Sequence, residues 1–418
     1  MSESHAAPVR AAFLTRGSAA VLAVAAVGIL VYLTRMFLGL GRMTHLDNQW
    51  PWGIWIALDV ATGVALAAGG FTSAALVYIF GRERFHPLVR PALLTALLGY
   101  TFVVIGLLAD LGRWYNVWHP MLPQMWQGNS VLFEGGICVM IYVTVLYIEF
   151  VPIVVERFKG RVALRAAWLN RPLEGLLRGA DATLSRFMFV FIIAGVVLSC
   201  LHQSSLGTLM LIAPTKMSPL WFTPLMPAFF LMSAIAVGFP MIIFESLLAS
   251  RSFGLAPELD LLERLGRIVT FTLGIYLVAK VVDLTVREAW PLAFVPGIQA
   301  VMFWIEMLGG VLAPLILFGT PRVRRRPAGL FTAATLTVLG VALNRINVFL
   351  IAYRPPFAPR TYFPSFFEIV LTAGLIATLV LVYRAIVLIF PVIEAPHGAA
   401  TAASAAQQGR VHRQARAG

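Results

Sequence analysis

Charge is what this sequence has least of. Only 12% of its 418 residues are charged, about half the share usual in soluble domains, and the mean hydropathy is +0.84. Such a chain cannot be a soluble globular enzyme. Cysteine is almost missing as well. Cys138 and Cys200 both fall in apolar runs and do not form a C-x-x-C pair, which excludes an iron–sulfur cluster or structural zinc held by this chain's own thiolates. Any cluster must come from a partner. Histidine is sparse too. His5, His397 and His412 lie in the tails and His86 in a loop, leaving His45, His119 and His202 near helix ends. A bis-His haem needs two facing histidines at similar depth. His45 and His202 are the one pair that meets this condition, and we expect them to hydrogen-bond a redox-active ligand, with no haem in this chain.

What is present is apolar sequence in long runs. A helix needs about 20 apolar residues to cross ~30 Å of hydrocarbon. Ten stretches qualify, near 17–40, 53–80, 88–112, 130–156, 184–207, 222–249, 265–285, 296–319, 329–352 and 366–391. The fold class is therefore an all-α integral membrane protein, with a transmembrane domain over 17–392 between tails at 1–16 and 393–418. The first run comes after Arg10 and Arg16, as a signal peptide would. It is too long for an h-region and no small-residue cleavage site comes after it, so it is expected to stay as an anchor.

The formal net charge of +13 would suggest nucleic acid for a soluble protein; here the distribution of Lys and Arg between loops carries the information. The two termini and the even-numbered loops hold 22 of the 32 basic residues, the odd-numbered loops hold 7, and Lys280, Arg345 and Arg384 lie within spans. Both termini are expected to be cytoplasmic, in a bacterial inner membrane, with no nucleic-acid partner.

The longest cytoplasmic connection, 157–183, is basic and amphipathic and is expected to lie on the anionic leaflet, though a partner-binding element would look the same. The C-terminal tail is Ala/Gln/Arg-rich and expected to be disordered. The outer loops are dense in aromatics and proline, as in "RWYNVWHPMLPQMW", "APTKMSPLWFTPLMP" and "YRPPFAPRTYFP". They suit an interfacial aromatic belt and a stiff docking surface equally.

Ionisable groups inside a bilayer are costly unless they face a cavity or a partner. Asp59, Asp110, Glu134, Asp283, Glu306 and Glu368 fall in the outer half, and Glu149 and Glu245 toward the cytoplasm. This lopsided set suits a site that handles protons near the outer face and exchanges them inward. Salt bridges are the simpler account for some members. Lys280 and Asp283 are three apart on one helix, and Arg345 can pair with Glu368 or Glu306. Glu134 and Glu245 have no cation within a helical turn, which favours proton handling. Tyr100 lies mid-span, close to the helix face of Asp110, where a quinone carbonyl or a neighbouring helix would satisfy its hydroxyl.

Three stretches, "NQWPWGIWIALDVATGVALAAGGF", "SVLFEGGICVMIYVTVLYIEFVP" and "HQSSLGTLMLIAPTKMSPLWFTPLMPAFFLMSAIAVGFPMIIFES", resemble the NrfD-like (polysulfide reductase membrane subunit) family. They are most similar to its HybB-like branch, the integral membrane subunit of type-2 nickel–iron hydrogenases. The resemblance runs from about 15 to 392. It implies a cofactor-free helical subunit built on two four-helix bundles, with a quinone pocket near a periplasmic ferredoxin-like iron–sulfur partner that serves the large and small hydrogenase subunits. It further implies that His45, Trp52 and Asp59 border the quinone site and that Tyr100 contacts the quinone. Asp110 and His202 complete the expected quinone set, and Glu134, Glu149, Glu245 and Asp283 the expected proton pathway. The quinone, menaquinone or ubiquinone, is a substrate, and lipid is the remaining partner. The b-type cytochrome name long used for this branch conflicts with the histidine count.

Three other readings compete. The same membrane subunit could serve a sulfur-compound redox complex associated with dissimilatory sulfite reductase. A proton-coupled secondary transporter would suit ten spans with buried acids, but no internal repeat is visible although Pro240 and Pro314 interrupt helices. A passive anchor leaves the outer acids unexplained.

Overall fold

The computed structural model describes residues 8–160 and 167–393. Ten helices among them are long and apolar enough to cross a membrane: α1 (Arg16–Leu38), α2 (Trp55–Ile79), α3 (Glu83–Asp110), α4 (Val131–Phe158), α5 (Arg186–Ile212), α6 (Met226–Phe253), α7 (Leu259–Val286), α8 (Ile298–Gly319), α9 (Pro327–Ile351) and α10 (Phe366–Ile389). They match the ten expected spans to within a few residues. Where they differ, local chemistry explains it. Pro227 sits at the start of α6, where its missing N–H costs nothing, and Gly254 ends the helix in the left-handed region. Helix α7 starts early because Asp260–Arg264 and Glu263–Arg267 pair at i,i+4 on a polar first turn.

Helices α2 to α5 pack as one four-helix group and α6 to α9 as a second, joined where α2 and α5 meet α6 and where α2 meets α9; α1 pairs with α10, which lies on α3. The loops carrying most Lys and Arg lie at one end of the helices, called here the basic end, and the tryptophan-rich loops lie at the aromatic end. Four stretches adopt π-helical turns, Trp55–Thr62, Ala75–Ile79, Ile305–Leu312 and Asn347–Ile351. Each inserts a residue into a turn, a feature concentrated at functional sites.

The basic amphipathic segment does not fold flat. Residues Ala167–Thr208 form one unbroken helix of 42 residues, about 63 Å long at 1.5 Å per residue, so 167–185 extend α5 beyond its span. The expectation of a surface-lying helix is corrected for these residues, because the helix runs on from them into α5 even though Pro172 removes one hydrogen bond of its ladder; 161–166 lie outside the described residues. The expected disordered tail after 393 and residues 1–7 also lie outside them. Residues 8–15, expected to be tail, fold onto the basic end. Arg384 donates to the carbonyls of Ala12 (2.6 Å) and Phe13 (3.0 Å) and to Ser252 (3.1 Å), over the ring of Phe253.

At the aromatic end the loops are stitched into one plate. Trp50 donates to Arg360 O (2.9 Å) and packs against Tyr353 and Tyr362. Arg354 N donates to Lys216 O (2.6 Å) and Ser218 N to Ala352 O (2.9 Å). Loops from both bundles and from the entry to α10 are thereby fastened together. Backbone N–H groups of Trp50 and Gln49, with Arg360, hold Asp47 below the usual carboxylate range.

The α1–α10 pair meets glycine on glycine. A Cβ added to Gly28 would lie 2.2 Å from Gly374 Cα, so Gly28→Val must push the helices apart. We expect it to lower stability by about 1–3 kcal/mol, the usual cost of overpacking, read as a fall in thermal midpoint in detergent. Gly41→Ala, whose Cβ meets nothing within 4 Å, is the control and should change little.

Candidate functional site

A cavity of about 470 Å³ opens inside the first bundle near the aromatic end, within the size range of small-molecule sites. Helix α5 supplies His202, Ser205, Leu206 and Leu209, a spacing that puts all four on one helix face. Ile56 and Val60 come from α2, Val103 and Leu107 from α3, and Gly135, Gly136, Val139 and Met140 from α4, while Arg113, Asn116 and His119 of the α3–α4 loop cap the space and Trp52 closes one side. The walls are mainly aliphatic, and the polar atoms at the inner end are unsatisfied. His202 is 3% exposed, and neither of its ring nitrogens, nor Ser205 Oγ, has a hydrogen-bond partner. An unmet buried polar group costs about 1–3 kcal/mol, so three together at the end of an apolar cavity mark a place where a ligand's polar atoms would sit.

Polar groups continue from His202 toward the basic end. Tyr100 lies with its ring centroid 5.6 Å from that of His202 and 4.5 Å from that of Tyr142, edge to face. Ser199 Oγ stands beside both phenols without completing a hydrogen bond. Gly135, Tyr142, Glu149 and Glu156 recur at intervals of seven on α4, hence on one face. Glu149 packs against Gly195, where an added Cβ would lie 2.5 Å from its Oε1, and Glu156 pairs with Arg90 at 2.8 Å near the basic end.

Of the expected quinone set, Trp52 and His202 line this cavity and Tyr100 lies directly beneath it. Asp59 is on the other side of α2, where Oδ2 accepts from Thr372 of α10 at 2.6 Å. Asp110 lies within electrostatic reach of Arg35, which donates to Leu111 O at 2.6 Å; its Oδ1 has no partner. His45 is exposed, with Nδ1 held 2.8 Å from Phe363 O. His45 and His202 therefore do not face each other across one space, as a bis-His haem would require.

Glu368, fully buried, accepts from the backbone N–H of His45 (3.1 Å) and Ser365 (2.8 Å) and from the Tyr362 hydroxyl. Burial, and then the contact with Glu368, pushes the Tyr362 phenol above its usual range, so it stays a donor.

The expected proton acids divide. Glu134 is exposed in the first turn of α4. Glu245 accepts from Thr95, while its Oε1 has no partner and faces a cleft of about 70 Å³ at the basic end beside Tyr383. Asp283 pairs with Arg287 and accepts from Thr223 at 2.7 Å. The salt bridge expected between Lys280 and Asp283 is not formed: Lys280 donates to Leu220 O at 3.3 Å and lies over the Phe229 ring, because Arg287, one full turn from Asp283, takes the carboxylate.

Arg345 likewise makes no direct pair with Glu368 or Glu306. It donates to Asn344 Oδ1 (2.6 Å) and Ser233 (2.9 Å) and stacks on Phe230. Asn344 in turn donates to Glu306 at 2.8 Å, as do Trp221 at 2.8 Å and Asn347 at 2.7 Å. The Trp221, Asn344 and Asn347 members of this network, and the placement of Tyr142 beside Ser199, were missed by sequence reasoning. Asn344 and Asn347, polar in an apolar run, were the available signal for the first. The glycine pair 135–136 was the signal for the cavity wall. Among the described residues no group of three or more His, Cys, Asp or Glu is placed to hold a metal ion.

Residues 42–354 match the family model described as "Polysulphide reductase, NrfD". The chain is 38% identical over 375 residues to a Nitratidesulfovibrio vulgaris protein, covering 88% of this chain and 91% of the relative. It is 34% identical over 368 residues to the "Probable Ni/Fe-hydrogenase 2 b-type cytochrome subunit" of Escherichia coli K12, covering 87% and 89%. It is 26% identical over 360 residues to the "Menaquinone reductase, integral membrane subunit" of N. vulgaris, covering 79% and 80%.

Proposed function

The chain belongs to the NrfD family, and from that footing we propose that it is the quinone-reactive membrane subunit of a respiratory hydrogen:quinone oxidoreductase. The observation that carries the reading is the apolar cavity whose inner end presents His202 and Ser205 with unmet hydrogen-bonding atoms. An apolar ring bearing two oxygens fits such a space. A quinone there takes up two electrons and two protons to give the quinol. His202 and Ser205 hold its oxygens, and Trp52 packs at the cavity side. Tyr100, Tyr142, Ser199 and Glu149 form a column along which protons move between His202 and the basic end. Glu245 serves a second opening at that end, while Asp59 and Asp110 lie behind α2 and α3 as a nearby acidic reserve.

The electrons come from a periplasmic ferredoxin-like iron–sulfur subunit seated on the aromatic end, fed by large and small hydrogenase subunits. The excess of Lys and Arg at the opposite end supports a periplasmic placement of the aromatic end in a bacterial inner membrane. The relative named as a hydrogenase 2 subunit supports the hydrogen-linked donor. The relative named as a menaquinone reductase subunit supports the quinone, which a sulfur-compound complex would use equally.

The chain, solubilised gently and titrated with the fluorescent quinone mimic 2-heptyl-4-hydroxyquinoline N-oxide, is expected to quench it saturably at one site, with displacement by menaquinone-4. No haem Soret band is expected. Quenching that never saturates and is not displaced would overturn the quinone site, and a stoichiometric Soret band the haem-free reading. Mass spectrometry of what co-purifies separates the donors: hydrogenase subunits support the main reading, and sulfite-reductase-type subunits replace its donor.

A further inference from the structure

The cavity is sealed on two sides and open on a third. Its lining from α2 and α5, such as Val60, His202 and Leu206, is buried. Its lining from α3 and α4 is partly exposed at Leu108 and Gly136 and 60% exposed at Leu132. Helices α3 and α4 touch at Tyr100–Tyr142, with Thr101 Oγ1 3.1 Å from the Tyr147 hydroxyl. Above that contact both helices give apolar side chains to the cavity. Val104 and Leu108 recur at i, i+4 on α3, with Leu111 at its C-cap, and Leu132, Gly136 and Met140 at i, i+4, i+8 on α4, so two apolar stripes face across a gap. Gly136 is at the middle of its stripe, and a Cβ added there would meet nothing within 4 Å. A glycine with empty space before it, inside a spanning helix, holds a passage open rather than letting two helices pack closely.

We propose that the gap between α3 and α4 is a lateral portal in which the long apolar tail of the ligand lies, and that Gly136 keeps it open and thereby sets the preference for tailed over tailless quinones. This rests on the quinone reading of the cavity. The polar atoms that meet the head are at the inner end, His202 and Ser205, and the rim toward the lipid is aliphatic. The ligand therefore enters from the bilayer head first, with its tail trailing between the two helices.

The test is direct binding to the purified full chain by displacement of the same fluorescent mimic. It uses menaquinone-4, which carries a four-isoprene tail, and menadione, the same ring without a tail. In the series Gly136→Ala, Gly136→Val, Gly136→Leu, the ratio of menaquinone-4 to menadione affinity is expected to fall stepwise, by ~10-fold at leucine, the scale on which apolar pockets discriminate. Leu108→Trp, on the facing helix, should do the same and covers the case in which the α4 variants fail to fold. Equal losses for both ligands would place Gly136 at the ring and overturn the portal, as would an unchanged ratio in both sets of variants. Failure of the wild type to bind either ligand would overturn the quinone reading, and the portal with it.

Discussion

His202→Leu is expected to cut quinone turnover by a factor of ~100 or more, the usual scale of a positioned proton-transferring group. Reduction of an artificial dye by the donor subunits should be untouched. The imidazole is almost fully buried, lies at the inner end of the cavity, and has both ring nitrogens unmet. Leucine fills similar volume but neither donates nor accepts, so a ring oxygen held there would lose its partner and the column toward Tyr100 its first member. His202→Gln restores one donor and one acceptor and should recover binding of the fluorescent mimic more than turnover. The measurement is quinone-linked and dye-linked activity of the same complex, side by side. Equal loss of both activities would signal a damaged assembly, and full retention of quinone activity would remove His202 from the reaction.

Glu306→Ala should cost the fold about 3–5 kcal/mol, the range for removing one member of a buried charged network. Its two oxygens take three N–H donors, from Trp221, Asn344 and Asn347. The Arg345 guanidinium and the Lys280 ammonium stand within electrostatic reach. Alanine would leave those donors without an acceptor and Arg345 without its anion inside a spanning bundle, with Lys280 left to Asp283 alone. Glu306→Gln keeps the shape but turns an amide NH₂ toward at least one of the donors, so it should fall between alanine and wild type. Thermal unfolding in detergent, with monodispersity checked alongside, reads this directly. A Glu306→Ala chain as stable as wild type would mean that the network contributes no net stability.

The spans were legible because hydropathy over about 20 residues depends on composition alone, and α1 to α10 appear where the apolar runs are. Which way a side chain faces within a span was harder to read. Between Trp55 and Thr62 the π-helical turn adds a residue, which rotates the remainder of α2 by about 100° relative to a regular helix. A 3.6-residue reading of Asp59 therefore cannot place it, and the side chain meets Thr372 on α10. Pairings across helices were hidden too: Glu306 to Asn344 and Asn347, and Glu368 to His45 and Tyr362, depend on how separate elements pack. The Asp283–Arg287 pair was within reach of sequence, since i,i+4 partners meet as readily as i,i+3. The cavity itself is a gap between four helices, and only its glycines hinted at it.

The stitched plate at the aromatic end has a consequence for assembly. Loops that wander in the free state must lose that freedom when a partner lands, which weakens association by about 0.5–1.5 kcal/mol for each side chain immobilised. Here Tyr353 and Tyr362 are already packed on Trp50, and the 216–218 and 352–354 segments already share backbone hydrogen bonds. A subunit that docks on this face meets a surface ordered before contact, so the entropy lost on association falls mainly on the newcomer, and its residence time reflects how well its own loops are fixed.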